Sequence, residues 1–141
     1  MELLERSGRH AATESVDFLD HRGRLRGRLG DPAGAIDPLR RSLQLRQKNE
    51  PGNDSALAYA HHNLAVSLGD MGLSDSADYH FRTALRLEHR AFSGPHPMTA
   101  ATYGGLGVVL ERMGRLAEAD SMLRLGIAMR GHLLGTDHPD Y

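Results

Sequence analysis

The sequence predicts an all-α protein, built as a short array of about three helix–turn–helix repeats. The first observation behind this is self-similarity. Moved forward by forty-two residues, the stretch 58–97 meets itself at Ala58/Ala100, Leu64/Leu106, Val66/Val108, Leu68/Leu110, Met71/Met113 and Gly72/Gly114. The match continues at Ala77/Ala119, Asp78/Asp120, Arg82/Arg124, His96/His138 and Pro97/Pro139. A fixed period of this length is the signature of stacked supersecondary units. The second observation is that apolar residues recur at helical spacing on both sides of the repeated Met-Gly pair, as in two helices joined by a tight turn. The third is composition. Tryptophan is absent, aromatics make up 5% of the chain, and alanine and leucine are frequent, which suits helices that approach closely through small side chains.

Taken in order, residues 1–15 form an N-terminal stub, read as the end of a preceding repeat because Leu3 aligns with Leu45. Residues 16–57 form a degenerate first repeat, in which Gly27, Gly30, Ala35, Arg40, Leu43, Leu45 and Gly52 recur one period later. Its first helix, expected over about 15–29, is a poor one. Arg22, Arg24, Arg26 and Arg28 alternate with Gly23, Leu25, Gly27 and Leu29, and each interior glycine costs about 1 kcal/mol against alanine. Arg22 also stands where Leu64 and Leu106 place a leucine, so fraying of the second half is expected. The next helix starts at Asp31, a capping residue, with Pro32 at the first helical position. Pro38 sits inside that helix and predicts a bend. Its apolar stripe is Ile36, Leu39, Leu43 and Leu45.

Residues 58–99 are the second repeat. Asp54 or Ser55 is expected to cap its first helix, which shows one face of Leu57, Ala60, Leu64, Ala65 and Leu68 and ends at Gly72. Ser74 is expected to cap the partner helix, with the stripe Ala77, Phe81, Ala84, Leu85 and Phe92. Residues 100–141 are the third repeat. Pro97 opens its first helix, Gly114 closes it, and a second helix covers about 116–134. The chain then reaches Thr136–Tyr141, which has the character of an entrance to a further repeat.

This pattern resembles the tetratricopeptide repeat, in the forty-two-residue form of kinesin light chains and of many bacterial arrays. The family's large–leucine–small set falls on His61, Leu64 and Ala65, then on Tyr103, Leu106 and Gly107. Its glycine falls on Gly72 and Gly114, and its alanine on Ala77 and Ala119. The large residue of the second helix falls on Phe81 and Leu123, and the small residue after it on Ala84 and Gly126. The ending typical of the longer form reads Thr136-Asp137-His138-Pro139 and, more loosely, Gly94-Pro95-His96-Pro97. The resemblance implies a right-handed superhelix whose first helices line a concave face, and a protein or peptide ligand held there.

Composition removes several function classes. The chain has 17 basic and 18 acidic residues, so nothing in its overall charge favours nucleic acid or an anionic membrane. It has no cysteine, hence no disulfide, thiolate nucleophile or zinc–thiolate site, and no apolar run of about 18 residues to span a membrane. No signal peptide is visible, and a cytoplasmic location is expected. Nine histidines raise the question of a metal. His61 and His62 diverge by about 100° on a helix, His61 and His80 could meet across the hairpin, and no acidic set completes a ligand shell, so no metal or other cofactor is expected. Gly104-Gly105-Leu106-Gly107 lacks the strand and third glycine of a dinucleotide loop. No nucleophile motif is present, and the chain is read as non-enzymatic.

A protein-interaction scaffold is therefore the expected function. The alternatives are a purely structural segment of a longer, self-associating array and, behind it, nucleic-acid binding through Arg22–Arg28. Helical spacing on the concave side implied by the resemblance selects Tyr59, His62, Asn63, Val66 and Asp70, with Ala101, Gly104, Gly105, Val108 and Arg112 one period later. By the same resemblance, Asn63 would hydrogen-bond the backbone of a bound peptide. Gly104 and Gly105 would leave an open floor beside Tyr59 and His62. The last helix, with no polar capping helix after it, is expected to expose Leu123, Ile127 and Leu134 and to drive weak homo-oligomerisation.

Overall fold

The structure is a computed structural model and describes residues 15–135, which fold into α1 (Val16–Arg28), α2 (Pro32–Asn49), α3 (Asp54–Asp70), α4 (Ser74–Ala91), α5 (Pro97–Arg112) and α6 (Leu116–Leu134). No strand occurs among the described residues. Residues 1–14 of the expected stub 1–15 and the entrance sequence Thr136–Tyr141 lie outside them, while Ser15 caps α1. Successive helices pack as antiparallel hairpins, α1 on α2, α3 on α4 and α5 on α6, and the hairpins stack through α2–α3 and α4–α5. The backbones of α1 and α3, and of α3 and α5, also approach each other, whereas those of α2, α4 and α6 do not. The stack therefore curves towards its first helices.

Three turns with one geometry set that period. Gly30, Gly72 and Gly114 take φ of +80°, +77° and +78°, a left-handed conformation that a side chain would strain. Beyond each, an amide reaches back five residues. Asp31 N donates to the Arg26 carbonyl, Leu73 N to that of Leu68 and Arg115 N to that of Leu110, each at 2.9 Å. This closure satisfies carbonyls that the helix end would otherwise leave without partners.

The helix starts differ from expectation in two places. α3 is capped by Asn53, whose side chain accepts from Ala56 N at 3.2 Å, and not by Asp54 or Ser55, which lie inside the helix. α4 begins at Ser74 after Leu73, with no side-chain cap at all. Asp31 does cap α2, accepting from Gly34 N at 2.9 Å, with Pro32 at the first position. His96 caps α5 by accepting from Met98 N at 3.1 Å.

The core runs continuously from Ala35 on α2 to Ala119 on α6, and α3 supplies its centre with Leu57, Ala58, Ala60, Leu64, Ala65 and Leu68. Full burial of a side chain such as Leu64, Phe81 or Leu106 contributes about 1.5–3 kcal/mol, so these contacts, more than helix propensity, hold the stack. Fraying of α1 is not observed, because the helix is regular to Arg28. Gly23 is the reason. A Cβ there would stand 2.5 Å from Leu39 Cγ and 3.3 Å from the Ala35 carbonyl. Gly107, two periods on, repeats this against Leu123 at 2.7 Å and the Ala119 carbonyl at 3.4 Å. The propensity lost at Gly23 is offset by close helix packing, and Arg22 turns outward while Leu19 and Gly23 are buried.

Candidate partner-binding groove

The inner face of the stack is built from one side of α1, α3 and α5, and it holds two adjacent depressions. The first, of about 280 Å³, lies between α1 and α3 and is lined by Arg24, Arg28, Asn63, Val66 and Asp70, with Leu39 beneath. The second, of about 150 Å³, lies between α3 and α5 and is lined by Val66, Asp70, Gly105, Val108 and Arg112, with Phe81 beneath. Val66 and Asp70 belong to both and form the ridge between them. Val66 and Val108 are each 42% exposed, an apolar pair available to a ligand.

Polar groups around these depressions are partly committed. Arg24 Nη1 donates to Tyr59 Oη at 2.8 Å, and Arg112 Nη1 donates to the Gly69 carbonyl at 2.8 Å. Asn63 differs, because its Nδ2 is buried with no hydrogen-bond partner among the described residues. An unsatisfied buried amide is unusual in a folded protein; the half-buried side chain would have to turn towards the groove before Nδ2 could donate to an incoming carbonyl.

A tetratricopeptide repeat model matches residues 54–131, more than half of the chain. The chain belongs to the tetratricopeptide repeat family. No curated protein matches it. Among solved structures, BtubC (BKLC) from P. vanneervenii is 19% identical, with a TM-score of 0.79 over 96% of this chain and 55% of its own. The TPR domain of Arabidopsis FLU is 20% identical, with a TM-score of 0.73 over 83% of this chain and 95% of its own. A Podosopora anserina protein described as a kinesin light chain with nearly identical TPR-like repeats is 18% identical, with a TM-score of 0.75, 86% of this chain and 57% of its own. The chain thus spans a little over half the length of two of these structures. At such identities the likeness is one of fold.

The tetratricopeptide hairpins distribute the sequence-selected residues unevenly. Asn63, Val66 and Asp70 line the first depression, and Val66, Asp70, Gly105, Val108 and Arg112 the second. Tyr59, His62 and Gly104 line neither. The two glycines of the expected floor also part company. A Cβ on Gly104 would meet nothing within 4 Å, whereas one on Gly105 would fall 2.5 Å from Phe81 Cζ. Gly105 is the seat of the Phe81 ring, and Gly104 is open surface.

His62 belongs to a polar relay between hairpins. Its Nδ1 lies 2.9 Å from Thr102 Oγ1, its ring meets Phe81 edge-on, and the Thr102 hydroxyl donates to Glu88 Oε1 at 2.7 Å or to the Met98 carbonyl at 3.0 Å. Glu88 is fully buried and its Oε2 has no partner among the described residues. Burial pushes its carboxyl up to about 7, against the pull of the Thr102 and Thr99 hydroxyls. His61 and His80 do meet across the hairpin, Nδ1 to Nδ1 at 2.9 Å, so one ring donates and the other accepts. Burial, then the charges of His80 and Arg86, hold His61 down at about 4. Among the described residues no group of three or more histidines and acids is placed to hold a metal.

The arginine run also divides. Arg24 and Arg28 face the groove, while Arg22 and Arg26 line a separate depression with Asp37, Pro38 and Arg41 on the other side of α1. Residues two apart on a helix point in nearly opposite directions, which accounts for the split. Sequence reading missed Arg24 and Arg28 in the groove wall. Their positions one and two periods before Val66 and Val108, and before Asp70 and Arg112, were the available signal.

Proposed function

We propose that this tetratricopeptide chain is a non-catalytic scaffold that holds a peptide or an extended segment of a partner protein along α1, α3 and α5. The observation that carries this reading is the buried, unpartnered Asn63 amide beside a groove with exposed valines at Val66 and Val108. An amide that can donate to a backbone carbonyl grips a chain whatever its side chains, and the exposed valines add apolar contact. Tetratricopeptide proteins are typically interaction modules without catalytic activity, in keeping with this reading. No helix among the described residues is long and apolar enough to cross a membrane. A cytoplasmic location goes with the proposal.

The test is affinity purification of bound peptides, followed by calorimetry on a selected peptide. Asn63→Ala is expected to weaken binding by roughly 1–3 kcal/mol, the cost of removing one partner of a buried polar contact. Gly104→Leu, which fills open surface beside the groove, is expected to reduce binding while the melting temperature holds. Unchanged affinity in both variants places the binding surface elsewhere.

Self-association through the outer face of α6 is a second reading, favoured by Leu116, Ile127 and Leu134, which are 63%, 59% and 40% exposed, although Leu123, expected to be exposed with them, is half-buried against Gly107. It concerns a different surface and is compatible with an occupied groove.

A further inference from the structure

The joint between the second and third hairpins supplies a template for what could cover α6. There Phe81 and Glu88 of α4 meet Gly105 and Thr102 of α5, and His89 Nε2 lies 3.2 Å from Tyr103 Oη. One period later, α6 carries Leu123 and Arg130 at the positions of Phe81 and Glu88, with Ile127 and Leu134 at those of Leu85 and Phe92. Leu123 is half-buried against Gly107 of α5, while Ile127, Arg130 and Leu134, the rest of this α4-like half, are exposed with no described helix over them.

The α5 half recurs at the other end of the molecule. Two periods before Thr102, Val109 and Met113 stand Phe18 and Leu25 of α1 and Leu29 just after it, which are 53%, 44% and 74% exposed. Val109 and Thr102 are buried in the existing joint, so their counterparts on α1 are large apolar groups in water at positions that packing elsewhere covers. Charge agrees with shape. In the existing joint Arg112 reaches the carbonyl of Gly69 on the preceding inner helix. The corresponding residues at the two ends are Arg28 and Glu111, both exposed and of opposite sign. Arg130 would oppose Phe18, which sets a guanidinium against an aromatic ring, a favourable pairing where Glu88 and Thr102 form a hydrogen bond.

We propose that the outer face of α6 receives α1 of a second copy, head to tail, in the register by which α4 receives α5. This rests on the self-association reading and names the mating surface. The two faces differ, so the contact is heterologous and can add further copies at either end.

Sedimentation velocity of the whole chain over a range of concentrations tests it. The native chain is expected to form a concentration-dependent series beyond the dimer. Leu25→Asp and Ile127→Asp each remove one face at an exposed position, and each alone is expected to weaken association by roughly tenfold or more. An equimolar mixture of the two variants retains one intact pair of faces, so it is expected to recover association and to stop at the dimer. If Ile127→Asp abolishes association while Leu25→Asp leaves it intact, α6 pairs with α6, and the head-to-tail register is wrong although self-association stands. A chain that stays monomeric at its highest soluble concentration overturns both. Phe18→Asp and Leu134→Asp, on the same faces, repeat the mixture should either first variant lose its helical circular dichroism.

Discussion

The first and second hairpins put different chemistry at one and the same place in the repeat. In the first, Asp20 is buried and accepts from Nη2 of the half-buried Arg46 at 2.6 Å, while the Ser42 hydroxyl donates to the other Asp20 oxygen. One period on, Arg46 becomes Glu88, Asp20 becomes His62 and Ser42 becomes Ala84. The ion pair within one hairpin is replaced by a buried acid that finds its hydroxyl partner, Thr102, on the next hairpin. In the third, Arg130 stands at the same position and is exposed. A tetratricopeptide repeat thus conserves backbone geometry and the size of its close-packed residues. The polar content of a joint is free to vary, provided that some neighbouring helix supplies a partner.

The largest expected effect comes from breaking the ion pair. Arg46→Ala leaves Asp20 buried and uncompensated and should cost about 3–5 kcal/mol, read by urea denaturation. Replacing both partners by apolar residues, Asp20→Leu with Arg46→Met, should recover most of that loss. A single variant as stable as the parent would show that the pair contributes nothing to the first joint.

Next comes pH, which acts on the second joint. Glu88 titrates near 7 when folded, above the ordinary glutamate value of 4.5. Its contribution is fully present below the unfolded value and is lost as pH rises through about 7. His61 acts in the opposite sense. Its folded value of about 4 lies below 6.5, so its contribution is present above 6.5 and is lost as pH falls towards 4. Across about pH 4.5–7 the two changes oppose each other, so Glu88→Gln, which removes the falling one, should make stability rise more steeply with pH over that window, as measured by thermal melts between about pH 4 and 8. An unchanged pH profile in Glu88→Gln would show that Glu88 contributes nothing to it.

The close-packed glycines should respond more uniformly. Gly23→Leu and Gly107→Leu both drive a side chain into a facing leucine, at Leu39 and Leu123 respectively. Overpacking of this kind costs typically about 1–3 kcal/mol. Similar losses in both, by denaturant titration, would sharpen the equivalence of the first and third hairpins. The smallest effect is expected at Gly104, where Gly104→Ala meets no atom within 4 Å and should gain up to about 1 kcal/mol of helix propensity. A loss there would mean that the open surface is needed by the fold.

The period, the helix-ending glycines and the apolar stripe of α3 were legible in the sequence because each depends on residues close along the chain. Leu57, Ala60, Leu64, Ala65 and Leu68 are all buried as the spacing indicates. What escaped depends on a residue from another helix. Gly23 reads as a helix weakness until Leu39 is seen against it, and Gly104 and Gly105 read alike until Phe81 fills the space beside only one of them. Asp20 and Arg46 lie twenty-six residues apart and carry no local mark of pairing. The Asn53 cap was missed for a smaller reason, since three capping residues stand in a row at Asn53, Asp54 and Ser55 and only the backbone chooses among them.

Packing between consecutive helices bears on how the chain acquires its structure. Apart from the approach of each inner helix to the next and the Arg82–Glu118 ion pair between α4 and α6, each helix packs only on its neighbours in sequence, so nearly all native contacts close short loops. Little chain entropy is lost before the first contacts form, and chains of such local topology fold within microseconds to milliseconds. The pair α3–α4, with apolar neighbours on both flanks, is the natural place for a nucleus from which order spreads in both directions. Unfolding would run the other way, from the outer helices inward, so the groove between α3 and α5 would outlast the ends of the array.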